Sequence, residues 1–222
     1  MMSWPSAVVS AVWTKTPLYR QLDIRPGITA VIGSGGKTSL IAALCRELPG
    51  TVIVCTSTHI FPAEGMPLVT GALEQMTANR VCVGTPAENG KLTAPLQSFE
   101  ALAKLADYVL VEADGSKGLP LKAHLPHEPV IPEGTLQVIQ VVGLSGMGNR
   151  IETAAHRPEQ YAEICRCSLQ DIATPERMAA VLNAEALADR YVLNQADDPE
   201  DEKFGRTLAA LLSKPAILTK LK

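Results

Sequence analysis

The stretch ITAVIGSGGKTSLIAALCREL, residues 28–48, joins an apolar, β-branched run to a helical pattern through a glycine-rich turn. Such a run reads as a buried strand. Leu40, Ile41, Leu44 and Leu48 fall close to one helical face, and Gly50 is a stop signal. A buried strand that turns directly into a helix belongs to a sheet covered by helices.

The rest of the chain repeats this grammar. Apolar, strand-like runs stand at 51–58, 80–84, 107–112, 135–143, 190–194 and 215–220, and GKL at 90–92 is a candidate hairpin partner for 80–84. Helical patterns stand at 98–106, in segments across 156–189 that start at Pro158 and Pro175, and at 200–213. Alternating strands and helices imply right-handed crossovers and a mostly parallel sheet. The expected fold is α/β: a three-layer, mostly parallel, P-loop NTPase-like sheet. One domain covers residues 1–222, with an N-terminal arm at 1–27 and a helical insertion at 144–189. Ligands of such sheets bind at the carboxyl ends of the strands.

Composition excludes several alternatives. The chain has 222 residues, 46% hydrophobic and 19% charged, which suits a folded core rather than disorder. Aromatics make up only 4%, so Ala, Leu and Val carry the packing, as helices on a parallel sheet allow. A formal charge of −3 argues against a general nucleic-acid binder. Cys45, Cys55, Cys82, Cys165 and Cys167 are odd in number and lack C-x-x-C spacing, which reads as a reduced, cytoplasmic protein. The N-terminal MMSWPSAVVSAVW lacks a basic region and contains Pro5, against a signal peptide, and no stretch is long enough for a membrane span.

The turn Gly33-Ser34-Gly35-Gly36-Lys37-Thr38-Ser39 departs from the usual G-x-x-x-x-G-K-[ST] spelling, because Val31 stands where the first glycine belongs. The physics survives that loss. The glycines permit positive φ and let amides turn inward on an anion. The following helix adds free N–H groups and its positive dipole end. Lys37 can reach terminal phosphates, and the Thr38 hydroxyl can face Mg²⁺. The bland alternative is a glycine-rich turn with no ligand.

Two polar clusters follow other predicted strands. Glu112-Ala113-Asp114-Gly115 ends the run at 108–112. A carboxylate there is placed to act on magnesium or its water, with Glu112 the first choice for the metal and Asp114 a second acid that holds the metal or orients a water. Asn194-Gln195-Ala196-Asp197 resembles the N-K-x-D base-reading signature of guanine-nucleotide proteins, with Gln195 in the lysine's place. An ordinary loop is equally compatible with those four residues. His59, His124, His127 and His156 also follow predicted strands, but none has tight ligand spacing, so local hydrogen bonding is the plainer reading than a metal site.

GSGGKTSL, TSTHIFP, VLVEADGSKGLPLKAHLPHEPVIP, VVGL…HRPE and YVLNQAD, in this order over about residues 28–198, resemble the YqeC family. Its members are P-loop proteins linked to maturation of selenium-dependent molybdenum hydroxylases. The resemblance implies that Gly33 to Ser39 form the nucleotide loop and that Glu112 and Asp114 are the acids at the metal. It departs at Gln195, where a lysine is expected, and at His124, in a segment expected to be smaller and richer in Pro and Ala.

The expected function is therefore an Mg²⁺-dependent protein that binds and hydrolyses ATP or GTP in that maturation. Its partners would be a nucleotide and a molybdenum hydroxylase or a selenium- or molybdopterin-cofactor protein. Thr38 and Glu112 would hold the metal. Two alternatives stay open. One is a small-molecule kinase or a ligase resembling the Mur type, with Lys117, Lys122, His127 and Arg157 holding an acidic acceptor. The other is a non-catalytic nucleotide or cofactor carrier.

Overall fold

A computed structural model of the protein describes residues 16–221. The segment before Thr16, which holds most of the predicted arm and the stretch read as no signal peptide, lies outside the described residues. In chain order, α1 (Leu18–Gln21) leads to β1 (Gly27–Gly33), the glycine-rich turn and α2 (Lys37–Glu47). Next come β2 (Val52–Thr56), β3 (Leu68–Val69), β4 (Arg80–Val83), β5 (Thr85–Pro86) and β6 (Leu92–Thr93). Then α3 (Phe99–Leu102) precedes β7 (Tyr108–Glu112), β8 (Leu121–Lys122) and β9 (Thr135–Gly143). Between β9 and β11 (Arg190–Asn194) stand α4 (Ile151–Ala154), β10 (Ala155–His156), α5 (Pro158–Cys165) and α6 (Pro175–Glu185). The chain closes with α7 (Pro199–Leu211) and β12 (Ala216–Leu218).

Eight strands form one sheet in the order β12-β11-β9-β1-β7-β2-β4-β3. Every pairing in it is parallel. The fold is α/β with helices on both faces, as the alternating patterns predict. Period-two alternation sorts the side chains. Val31, Val52, Val54, Leu110, Val141 and Val192 face a cluster that includes Leu40 and Leu44 of α2. Ile53, Val109 and Val111 face the opposite layer with Leu102 of α3. Farther along that layer, Tyr191, Leu193 and Leu218 pack with Met178 and Leu182 of α6 and Leu208 of α7. Leu18, Leu22 and Ile24 of the predicted arm are buried in the α2 cluster, so this part of the arm completes the core.

Some local expectations need correction. GKL at 90–92 does not pair with 80–84; the antiparallel pair is β5 with β6, and β4 instead lies parallel to β2. The helix expected over 98–106 ends at Leu102, because Lys104 and Leu105 make tighter three-residue turns on Ala101 and Leu102 before β7 begins. Pro158 and Pro175 do open α5 and α6.

No helix among the described residues is long and apolar enough to cross a membrane. The carboxyl ends of β1, β7, β9 and β11 lie side by side, which gathers the Gly33, Glu112, Gly143 and Asn194 loops on one edge.

Candidate functional site

The glycine turn runs from the end of β1 into the first turn of α2. Gly35 and Gly36 have φ of 84° and 126°, outside the range comfortable for other residues. Both are also hemmed in. A Cβ on Gly35 would come within 2.3 Å of Gly143 Cα, and one on Gly36 within 2.3 Å of Asn194 Nδ2.

The loop divides its amides into two groups. Gly33 N–H donates to Asp114 Oδ2 at 2.8 Å, and Ser34 N–H to the Val141 carbonyl at 2.9 Å. The Ser34 hydroxyl donates to the Pro120 carbonyl at 3.0 Å, so Ser34 anchors the loop. By contrast, the amides of Gly35, Gly36, Lys37, Thr38 and Ser39 find no acceptor among the described residues. They form the free N-terminal amides of α2, an anion-seeking arrangement.

Lys37 is 4% exposed. Its ammonium donates to the Gly33 carbonyl at 2.7 Å, pairs with Asp114 Oδ1 at 3.0 Å and stands 3.8 Å from Glu112 Oε1. Thr38 is exposed, and its hydroxyl donates to Glu112 Oε2 at 3.3 Å. The sequence-predicted pair of metal ligands is thus brought together from α2 and the end of β7. Thr56 donates to the Glu112 carbonyl at 2.7 Å and fixes that strand end.

Asp114 is enclosed rather than open. Oδ2 accepts from Gly33 N–H, meets His124 Nε2 at 2.9 Å and pairs with Lys122 Nζ at 3.1 Å. Burial alone would raise its pKa, but the His124 hydrogen bond, Lys37, Lys122 and the Gly33 amide together hold it down at about 2. Glu112 behaves oppositely. Burial raises its pKa and Asp114 adds to the rise, against the opposing pull of Lys37 and Thr38. Two nearby carboxyls are therefore set apart by their surroundings.

His124, Lys122 and Glu185 are the residues whose place in this site sequence reasoning missed. His124 Nδ1 meets Glu185 Oε2 at 2.8 Å while Nε2 meets Asp114, so both ring nitrogens face carboxylates. Burial disfavours its charge, but Asp114 and Glu185 overcome that and raise its pKa. Lys122 also donates to the Gly115 carbonyl at 2.6 Å and pairs with Glu128, which Arg157 holds at 2.9 Å. A signal did exist: in LPLKAH, alternation places Lys122 and His124 on one face and Leu121 and Ala123 on the other.

The remaining candidates separate. Asn194 is buried, and its Nδ2 donates to the Gly35 carbonyl at 2.8 Å. Asp197 is exposed on the same loop. His59 and His127 are exposed and His156 is buried, and the described residues contain no group of three or more His, Cys, Asp or Glu side chains able to hold a metal. A cavity of about 470 Å³ bounded by Asp23, Arg25, Asp189, Arg190 and Lys214 shares no residue with the loop. It opens at the amino ends of β11 and β12, where Asp23 pairs with Arg25 at 2.8 Å and Arg190 at 3.6 Å.

Fold and site together define an α/β protein whose parallel sheet carries a glycine-rich amide cradle and a buried lysine–carboxylate network at one edge. The family described as YqeC protein matches residues 29–159, a span that holds the cradle, the acids and His156. The YqeC protein of Escherichia coli (strain K12) is 35% identical over 156 residues, which take in 63% of this chain and 61% of that relative. The chain thus spans about three fifths of the length of the curated relative it matches. This chain belongs to the YqeC family.

Proposed function

We propose that this protein binds a nucleoside triphosphate with Mg²⁺, hydrolyses it, and serves the maturation of selenium-dependent molybdenum hydroxylases. The observation that carries the nucleotide reading is the run of unpartnered amides from Gly35 to Ser39 beside the buried Lys37 ammonium. Amides left unbonded on a helix N-terminus are complementary to phosphate oxygens. Lys37 would exchange the Gly33 carbonyl for a terminal phosphate oxygen while Asp114 keeps it in place. The pathway rests on the family resemblance.

The Thr38 hydroxyl and the Glu112 carboxyl are hard oxygen donors that fit Mg²⁺, which takes one or two carboxylates plus phosphate oxygens and keeps several waters. The ion would supply charge neutralisation at the phosphates. In hydrolysis, water attacks the terminal phosphorus, the bridging P–O bond breaks, and the nucleoside diphosphate and phosphate leave. The chain's part is positioning and electrostatics. Asp114, already bonded on its inner side, is a positioning residue for Lys37 and the loop. The kinase or ligase alternative loses support, because Lys122 and Arg157 are engaged with Asp114 and Glu128.

Calorimetry of the wild type and Lys37→Ala with ATP, GTP and CTP, with and without Mg²⁺, tests the reading, paired with a phosphate-release assay. Magnesium-dependent binding should weaken at least tenfold in the variant, about 1.4 kcal/mol. Equal affinity in both proteins overturns the loop assignment.

A further inference from the structure

We infer that the nucleotide is a guanine nucleotide, its base read by the Asp197 carboxylate at the end of β11. The inference rests on the nucleotide reading of the glycine loop and adds the base that reading leaves open.

Strand order places the base-side loop. β9 separates β1 from β11, so the strands that carry the two loops stand two strand spacings apart, roughly 10 Å. A ribose bridges such a gap between phosphate and base. The two loops are also joined directly. Asn194 Nδ2 donates to the Gly35 carbonyl at 2.8 Å, while Asn194 Oδ1 accepts from Thr219 Oγ1 at 2.9 Å and Leu221 N–H at 2.8 Å. One buried amide thereby locks the phosphate loop, the end of β11 and the segment after β12 into one frame. Ala196 N–H to the Thr219 carbonyl at 3.1 Å adds a second rung.

Gln195 makes the floor. It has φ of 64°, unusual for a residue with a side chain, and its Oε1 accepts from Ser145 Oγ at 2.7 Å. Its side chain lies against Gly143, where a Cβ would come within 2.3 Å of Oε1. Gly143 in turn touches Gly35. The glutamine side chain therefore covers the strand end between the two loops, and the absence of a lysine there removes a charge without opening a gap.

Asp197 stands beyond this floor, exposed, and its carboxylate has no partner among the described residues. Its backbone is held, with the amide donating to Asp201 at 3.2 Å and the carbonyl accepting from Lys220 Nζ at 3.3 Å. A carboxylate only accepts hydrogen bonds. Guanine presents two adjacent donors, N1–H and the 2-amino group, to such a partner. Adenine and cytosine each place a ring acceptor beside their amino group, and uracil offers one N–H between two carbonyls. Of the four bases, guanine alone is complementary.

Calorimetry with Mg²⁺ and GTP, ATP or xanthosine triphosphate tests the inference on the wild type, Asp197→Asn and Lys37→Ala. Xanthine carries a carbonyl where guanine has its amino group, so an asparagine, with one donor and one acceptor, matches it. The wild type should prefer GTP over ATP at least about tenfold, and Asp197→Asn should reverse the order of GTP and xanthosine triphosphate. Binding of GTP and ATP with equal affinity by the wild type overturns the base inference and leaves the loop reading standing. Binding of no nucleotide overturns both. Should Asp197→Asn fail to fold, the wild-type ratio of GTP to ATP still decides. A folded Asp197→Asn that keeps its GTP preference also rejects the assignment.

Discussion

Asp114 shows how a single buried charge organises a loop. Its side chain faces Lys37, Lys122 and His124 as well as the Gly33 amide, so it is the shared counter-ion of groups that could not otherwise be buried. Asp114→Asn should destabilise the fold by about 3 kcal/mol or more near pH 7, read from urea unfolding, because it takes the facing charge away from the buried Lys37 and Lys122. The pH dependence has a sign. Asp114 is held at about 2, below its ordinary 3.8, so its contribution is present above the ordinary value and lost as pH falls through the lowered one. The gap between wild type and variant should therefore persist down to about pH 4 and close below it. His124 runs the other way. Its pKa is raised from 6.5, so its contribution is complete below that value and disappears as pH climbs through the raised one. A His124→Gln protein should lack the alkaline decline in stability expected of the wild type; an unchanged alkaline limb would contradict the raised pKa that Asp114 and Glu185 give His124 as its source.

The strand–turn–helix unit is the element on which the site stands. Its missing first glycine is tolerated because Val31 is still inside β1, fully buried in the α2 cluster, and the turn proper begins at Gly33. Backbone crowding acts farther on. Gly35 combines φ of 84° with a Cβ position 2.4 Å from the Gly143 amide nitrogen, and backbone cannot yield as a side chain can. Gly35→Ala should cost about 2 kcal/mol or more, a fall in Tm of several degrees for a chain of this size. Gly115, on the acidic loop, has open space around its Cβ position and no positive φ. Gly115→Ala should change stability by less than about 0.5 kcal/mol. Comparable losses in both variants, measured by calorimetric melting, would mean that the crowding between the Gly35 and Gly143 loops does not control the turn.

At the scale of the whole molecule, strand order does what no single motif can. Periodicity and length made the sheet strands at 28–32, 51–58, 107–112 and 190–194 legible, because each is long enough to be buried on two faces. The two-residue strands β3, β5, β8 and β10 were not, and the sixth strand was read one partner off, since their ladders come from tertiary contact with no pattern of their own. Within the candidate site, the nearness of the glycine loop and the Glu112 carboxyl was readable, because each directly follows a strand of one parallel sheet. The bonding of Asp114 was not. Its partners Lys122 and His124 arrive from β8 and the residues just after it, and Glu185, which holds His124, comes from the end of α6. The frame that joins Gly35, Asn194 and Leu221 depends on β9 lying between β1 and β11, a fact of topology. Because that frame spans the central and far strands, occupancy of the cradle should stabilise the whole cooperative unit. A ligand at one hundred times its Kd adds about 2.7 kcal/mol to unfolding, which corresponds to a Tm rise of roughly 5–10 °C at this chain length. Mg²⁺ with GTP should produce that rise in the wild type, and Lys37→Ala should lose it at the same ligand concentration. In Asp197→Asn the larger rise should move to xanthosine triphosphate, since the base contact changes while the amide cradle does not. A Tm that stays fixed in the wild type under saturating Mg²⁺ and nucleotide would detach the cradle from any nucleotide, whatever its geometry.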